Sequence, residues 1–242
     1  MPYFNIVAET SENTVVTEYE PVKKRSDSYQ SEAALEQEFI RMLCEQGYEY
    51  LPIHTESDLV SNLRRQLEEL NHYTFSDTEW EDFFHNAIAN PNEHIVEKTR
   101  KIQEDHIQNL RRDDGSTKNI TLIDKKNIHN NRLQVINQYV VSTKDGAKHD
   151  NRYDVTVLVN GFPLVHIELK RRGVAIREAF NQIERYQRES FWSGSGLYEY
   201  IQIFVISNGA NTKYYSNSTR WNAEREHKKK GASKTKSSNS FE

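Results

Sequence analysis

The chain has 242 residues, enough to bury a sizeable core, and its single cysteine, Cys44, excludes an internal disulfide framework. No apolar run reaches the length of a membrane span or a signal sequence, so a cytoplasmic protein without membrane contact is expected. Apolar residues make up 36% and charged residues 28%, and the net charge of −4 argues against a general nucleic-acid binder.

Residues 1–27 read as an N-terminal extension, with a strand-like stretch from Thr14 to Tyr19 and a basic Lys23-Lys24-Arg25. Ser28 to Ser31 can cap a helix that runs to Gln46 and ends at Gly47. Its apolar stripe is Leu35, Phe39, Met42 and Leu43. On a helical wheel Glu32 and Glu36 fall at about 60° and 100° from Leu35, inside or beside that stripe. Carboxylates aimed at a core suggest a site; the plainer reading is a capping or rim residue. A helical stretch over about 56–104 follows, marked by Leu59, Leu63, Leu67 and Leu70, then Trp80, Phe83, Phe84, Ala87 and Ile88, then Ile95, Thr99 and Ile102. This is packing, without visible chemistry. His106–Arg111 and Asn119–Ile123 read as a ribbon closed through Asp113-Asp114-Gly115-Ser116, and Leu133–Val141 as a further strand.

The chemistry begins at Tyr153. Tyr153–Val159 alternates with Tyr153, Val155, Val157 and Val159 on one face and Asp154, Thr156 and Leu158 on the other. Leu164–Lys170 groups Val165, Ile167 and Leu169, leaving Glu168 and Lys170 side by side opposite them. Two carboxylates and an ammonium at the ends of adjacent core strands are costly to bury without a task. A Mg²⁺ ion would supply one, since it takes oxygen ligands, usually one or two of them carboxylates. Register decides whether the groups meet. A two-residue loop at Asn160-Gly161 pairs Val159 with Phe162, and its unbroken ladder sets Asp154 against Ile167. A three-residue loop including Phe162 pairs Val159 with Pro163 and Asp154 with Glu168; this three-residue or bulged arrangement is the expected one.

After Arg171-Arg172-Gly173 a helix is predicted from Val174 to about Ser190, with Gln182 and Tyr186 four apart on one face. Tyr200–Ser207 reads as a buried strand, and Lys213-Tyr214-Tyr215 as an added edge strand. None of the nine histidines pairs at metal-ligand spacing with a Cys or carboxylate, so His166 is taken as structural, with a supporting contact to Glu168 as the alternative. Residues 223–242 turn to Lys, Ser and Glu and read as a flexible linker. The charge is uneven: residues 1–163 carry 18 Lys and Arg against 28 Asp and Glu, whereas 164–242 carry 14 against 8. A phosphate backbone would approach that basic part.

Asp154, about a dozen residues, then Glu168-Leu169-Lys170 resembles the PD-(D/E)xK nucleases, with Tyr153 where the name-giving proline would stand. Gln182 and Tyr186 resemble the Gln-x-x-x-Tyr motif of one branch. Together with "HIELKRRG", "AFNQIERYQRES" and "IQIFVISNGANTKYY", these stretches resemble the N-terminal part of the restriction (R) subunit of type I restriction-modification enzymes, from about Ser31 onward.

The resemblance implies an α/β fold, a mixed β-sheet core flanked by helices with the insertion at about 56–104, filling residues 28–222. It implies a Mg²⁺-dependent DNA endonuclease acting on double-stranded DNA, with the modification (M) and specificity (S) subunits as partners. Asp154 and Glu168 would hold the metal, and Lys170 would serve catalysis. In related nucleases a first-helix Glu lies eleven residues before a Gly-aromatic pair, which here points to Glu36 as a third metal-holding carboxylate. Gln182 and Tyr186 would position DNA or the catalytic loop. No Gly-x-x-x-x-Gly-Lys-[Ser/Thr] loop occurs, so ATP would act only through motor domains expected after Glu242. A junction resolvase or repair nuclease of the same fold, and a catalytically silent DNA-binding or interaction domain, are the alternatives.

Overall fold

A computed structural model describes residues 3–9, 14–20, 31–141 and 151–217. The chain divides into two compact units, residues 1–30 and 31–242. In the first, β1 (Tyr3–Glu9) and β2 (Thr14–Glu20) form an antiparallel hairpin. β2 covers the strand-like stretch; β1 has no counterpart in the sequence reading. The basic triplet at 23–25, Ser28 and the 223–242 stretch lie outside the described residues.

The second unit is built on a six-stranded mixed sheet, in the α/β class that the sequence implies. Its strands are β3 (Glu49–Tyr50), β6 (Leu133–Val141), β7 (Asn151–Val159), β8 (Phe162–Leu169), β9 (Ile203–Ser207) and β10 (Thr212–Ser216), in the order β10-β9-β8-β7-β6-β3. β3 with β6 and β8 with β9 are parallel pairs; the other neighbours are antiparallel. β4 (Ile107–Arg111) and β5 (Thr117–Thr121) form the separate ribbon; β4 ends at Arg111 as expected, and the other three ends lie one or two residues from those expected.

One face of the sheet is covered by α1 (Glu32–Glu45). Ser31 starts it, its Oγ accepting the Ala34 N–H at 3.1 Å, and Gly47 at φ +93° follows its end. Leu35, Phe39, Ile40 and Leu43 pack on Val135, Val155, Val157, Ile167 and Leu169. These contacts centre the buried arc between Phe39 and Glu36, which puts Met42 on its rim. Met42 is accordingly 40% exposed, against expectation.

The other face carries α2 (Glu56–Asn71), α3 (Asp77–Phe83, running into a wider helical turn over Phe84–Ile88), α4 (Ile95–Gln103) and α5 (Ile176–Glu189). Leu59, Leu63 and Leu67, one turn apart on α2, are fully buried in its core. The insertion is also tied by polar contacts to the segment that leads into β9. Lys98 Nζ donates to Gly196 O at 2.9 Å and pairs with Glu199 at 3.0 Å, and Tyr200 Oη donates to Ile88 O at 2.8 Å. Two boundaries move inward from the expected ones. α5 begins at Ile176 because Arg171–Val174 closes a turn through Gly173 at φ +89°. β9 begins at Ile203 because Leu197–Tyr200 forms a 3-10 turn.

The β7–β8 hairpin corrects the expected register in detail. The loop has two residues, Asn160 and Gly161, both left-handed at φ 50° and 84°. Val159 pairs with Phe162, not Pro163, and Leu158 with Pro163. A bulge at Leu164 then shifts the ladder, so that Val157 pairs with Val165 and Val155 with Ile167. The next step sets Asp154 level with Glu168. The bulged half of the expectation holds, and the three-residue loop does not. Tyr153 also differs: it packs with Tyr139, Tyr186 and Tyr198, across the sheet from Val155. Its partner strand breaks the alternation at Gln138, whose φ is 52°.

The turn is locked to its surroundings. Asn160 Oδ1 accepts the Arg132 N–H at 2.8 Å, and its Nδ2 donates to Leu122 O at 3.0 Å. A Cβ on Gly161 would stand 2.6 Å from Leu63 Cα on α2. Gly161→Ala combines an unfavourable positive φ with a backbone clash, and should lower unfolding free energy by about 2–4 kcal/mol in denaturant melts. A loss below 0.5 kcal/mol, on the order of a neutral surface change, would contradict this packing of hairpin on helix.

Candidate active site

β7 and β8 place Asp154 and Glu168 side by side, and Lys170 follows as β8 ends, its N–H bonded to Ser207 O on β9 at 2.8 Å. Asp154 is half-buried, and its Oδ2 accepts the Leu169 N–H at 2.9 Å. Glu168 is fully buried, and Lys170 Nζ donates to its Oε1 at 2.9 Å and to Leu169 O at 3.1 Å. The structure thus brings all three residues together.

Burial, with the Glu168 charge added, pushes Asp154 up to about 7. Burial likewise pushes Glu168 up to about 7, against the pull of the Lys170 ammonium. Burial alone would depress Lys170; the charge and hydrogen bond of Glu168 outweigh it and hold the ammonium above its ordinary value. The other Glu168 oxygen, Oε2, is buried without a hydrogen-bond partner among the described residues. It faces His166 Nε2 at 3.5 Å. His166 is fully buried among Tyr153, Tyr186 and Phe191, and burial pushes it down to about 4, so the ring is neutral.

α1 brings two further carboxylates to the site's edge. Glu36 is buried at 7% exposure; Asn137 Nδ2 donates to its Oε1 at 2.6 Å and Gln138 Nε2 donates to its Oε2. Burial, and after it the Asp154 charge, raises Glu36, while the two amides lower it. Glu32 is exposed, and its Oε1 accepts the Arg171 N–H at 3.2 Å. Gln182 Nε2 donates to Tyr186 Oη, which donates to Arg152 O at 2.7 Å, so the two residues brace β7 two positions before Asp154. Tyr186 is 1% exposed and faces the core. Asn137 and Gln138 were not singled out from the sequence, and two amides within a strand carry no signal that would have done so.

Among the described residues no three His, Cys, Asp or Glu side chains form a ready-made metal cluster. Mg²⁺ usually asks for only one or two protein carboxylates and fills its octahedron with water and phosphate. Asp154 and Glu168 fit that demand: both are oxygen donors, adjacent, and Glu168 Oε2 is a buried acceptor without a partner.

Two carboxyls raised in the fold bind protons more readily there than in the unfolded chain, where they titrate near 4. Such groups contribute most below the unfolded value, and the contribution is lost as pH rises through the folded value of about 7. With chelator present, Asp154→Asn should therefore melt higher than the parent, by roughly 1–3 kcal/mol at pH 8, with the gap closing toward pH 5. Thermal melts at three pH values test this; a gap that widens toward acid would refute it.

A profile of the family described as "Type I restriction enzyme R protein N terminus" matches residues 29–223. The EcoprrI type I restriction enzyme endonuclease subunit of Escherichia coli is 48% identical over 215 residues, covering 88% of this chain and 67% of that protein. A type I restriction enzyme endonuclease subunit of Staphylococcus aureus is 40% identical over 195 residues, 78% of this chain and 20% of its own length. A putative type I restriction enzyme endonuclease subunit of Methanocaldococcus jannaschii is 33% identical over 107 residues, 43% of this chain and 10% of its own. The chain spans about two thirds of the E. coli relative and a fifth of the staphylococcal one. By the profile match over most of its length and by these identities, the chain belongs to the family of type I restriction enzyme R protein N-termini.

Proposed function

We propose that this chain is the Mg²⁺-dependent DNA endonuclease domain of a type I restriction enzyme R subunit. It would act in the cytoplasm with modification and specificity subunits, and cut double-stranded DNA after ATP-driven translocation by motor domains outside these residues. The observation that carries the reading is the meeting of Asp154, Glu168 and Lys170 on two adjacent core strands, with both carboxyls raised to about 7. Strained ionisation of this kind marks sites with a chemical task.

In this reading Asp154 and Glu168 would hold Mg²⁺, with Glu36 as a third carboxylate. Mg²⁺, when bound, makes water a stronger nucleophile and offsets charge on the attacked phosphate. Lys170 has three N–H donors, two of them taken by Glu168 and Leu169 O. The third is available to orient the attacking water or to meet the phosphate oxygen on which charge builds. The Leu169 N–H fixes the Asp154 carboxyl, and Gln182 and Tyr186 keep β7 in place beneath it. The water would add to phosphorus and give up a proton, a P–O ester bond would break, and the leaving oxygen would take up a proton.

The chain's net charge of −4 gives it little hold on a phosphate backbone at physiological salt. Grip on the duplex is assigned to the motor, which raises the local substrate concentration at this site. Residues 1–242 alone should then cut linear DNA weakly or not at all at about 0.15 M salt. In the complete complex with Mg²⁺ and ATP, Lys170→Ala should abolish cutting, by a factor on the order of 100 or more, and leave ATP hydrolysis unchanged. Parallel cleavage and ATPase assays decide; loss of ATPase in the variant, or vigorous cutting by the isolated chain, would contradict the division of labour.

A further inference from the structure

Neighbouring residues of a strand point to opposite faces. Asn137 and Gln138 nevertheless both reach Glu36, one amide on each carboxylate oxygen. The left-handed backbone of Gln138, at φ 52°, makes this possible by breaking the alternation of β6. A non-glycine residue in that region is uncommon, and such conformations persist where the surroundings require them. Asn137 is itself oriented: Tyr50 Oη donates to its Oδ1 at 2.9 Å, which leaves Nδ2 for Glu36. Its carbonyl lies 3.1 Å from His54 Nδ1.

The clamp has chemical character. Both partners are neutral, so they fix the direction of the Glu36 carboxylate without cancelling its charge, as an arginine would. Each oxygen keeps acceptor capacity beyond its one amide bond. Asn137 pairs with Val155 and Tyr139 with Tyr153, so Gln138 stands level with Asp154 across β6 and β7, and the carboxylate that it clamps feels the Asp154 charge.

We infer that Asn137 and Gln138 are positioning residues that fix Glu36 toward the Asp154–Glu168 pair, and that the left-handed backbone at Gln138 is retained to bring the second amide to it. The inference rests on the reading of that pair as metal-holding.

Two substitutions separate backbone from amide. Gln138→Gly accepts the left-handed conformation freely and Gln138→Ala does not, while both remove the amide. The glycine variant should melt about 2–4 °C above the alanine variant. Both should bind Mn²⁺ more weakly than the parent by the same factor, about fivefold or more, when free Mn²⁺ is followed by electron paramagnetic resonance without DNA. Glu36→Ala should weaken binding similarly, and adding Gln138→Gly to it should cause no further loss. Parental Mn²⁺ affinity in Gln138→Gly, or additive losses in the double variant, would overturn the clamp. Asp154→Asn is the control for the underlying reading. If it removes Mn²⁺ binding while Gln138→Gly leaves it intact, the clamp alone falls; if Asp154→Asn binds as the parent does, the reading of the pair falls with it.

Discussion

Asp154 stands level with Glu168 because β8 contains one residue more than an unbroken ladder would use. The start of that ladder is not free to move. Gly161 lies against the backbone of Leu63, and Asn160 is bonded to the 122–132 segment, so the turn and the Val159–Phe162 pair are fixed. From that start, regular pairing would carry Asp154 to Ile167 and put its carboxyl in an apolar layer. The bulge at Leu164 absorbs the odd residue within two steps of the turn, and every later pair inherits the shift. A packing contact at one end of the hairpin thus determines which side chains meet at the other.

What the register assembles is unfavourable on local terms. Glu168 is buried with one ammonium as its bonded partner, its second oxygen has no partner among the described residues, and a neutral histidine stands 3.5 Å away with both ring nitrogens likewise unpartnered. Buried polar atoms are nearly always bonded, and leaving one unmade costs about 1–3 kcal/mol. The surroundings keep the arrangement from relaxing. Tyr153, Tyr186 and Phe191 enclose His166, Tyr186 is bonded to the β7 backbone, and Tyr153 Oη and Ser190 Oγ lie 2.6 Å apart. An aromatic layer beneath this polar one holds the Asp154 and Glu168 acceptors in place, as the proposed metal site would require.

Much of this was legible in the sequence, for local reasons. Period-two alternation located β7 and β8, the leucine spacing located α2, and the Asn-Gly pair located the hairpin turn. The wheel placed Glu32 and Glu36 inside or beside the apolar arc of α1; Glu36 is buried there, whereas Glu32, the first residue of the helix, is exposed. The rest depended on long-range facts. The bulge answers to α2 packing on the turn, which no window of β7 or β8 contains. Tyr153 lies in the other layer, paired with Tyr139 just beyond the backbone reversal on β6, a strand away. The Asn137 and Gln138 amides were invisible because their meaning lies in a partner about a hundred positions distant.

That reversal at Gln138 serves both layers of the sheet at once. On one side it delivers the second amide to Glu36; on the other it sends Tyr139 into the aromatic layer, where its ring lies 6.0 Å from Tyr153 and 5.0 Å from Tyr198. With regular alternation, Tyr139 would share a face with Val135, against α1, and Gln138 would turn toward the tyrosines. The Tyr153 ring then loses one of its neighbours, and the ring sits next in sequence to Asp154. Carboxylate placement above the sheet and ring packing below it are therefore one constraint, imposed by a single residue's φ, which is why an unfavourable conformation can persist at a position without reactive groups of its own.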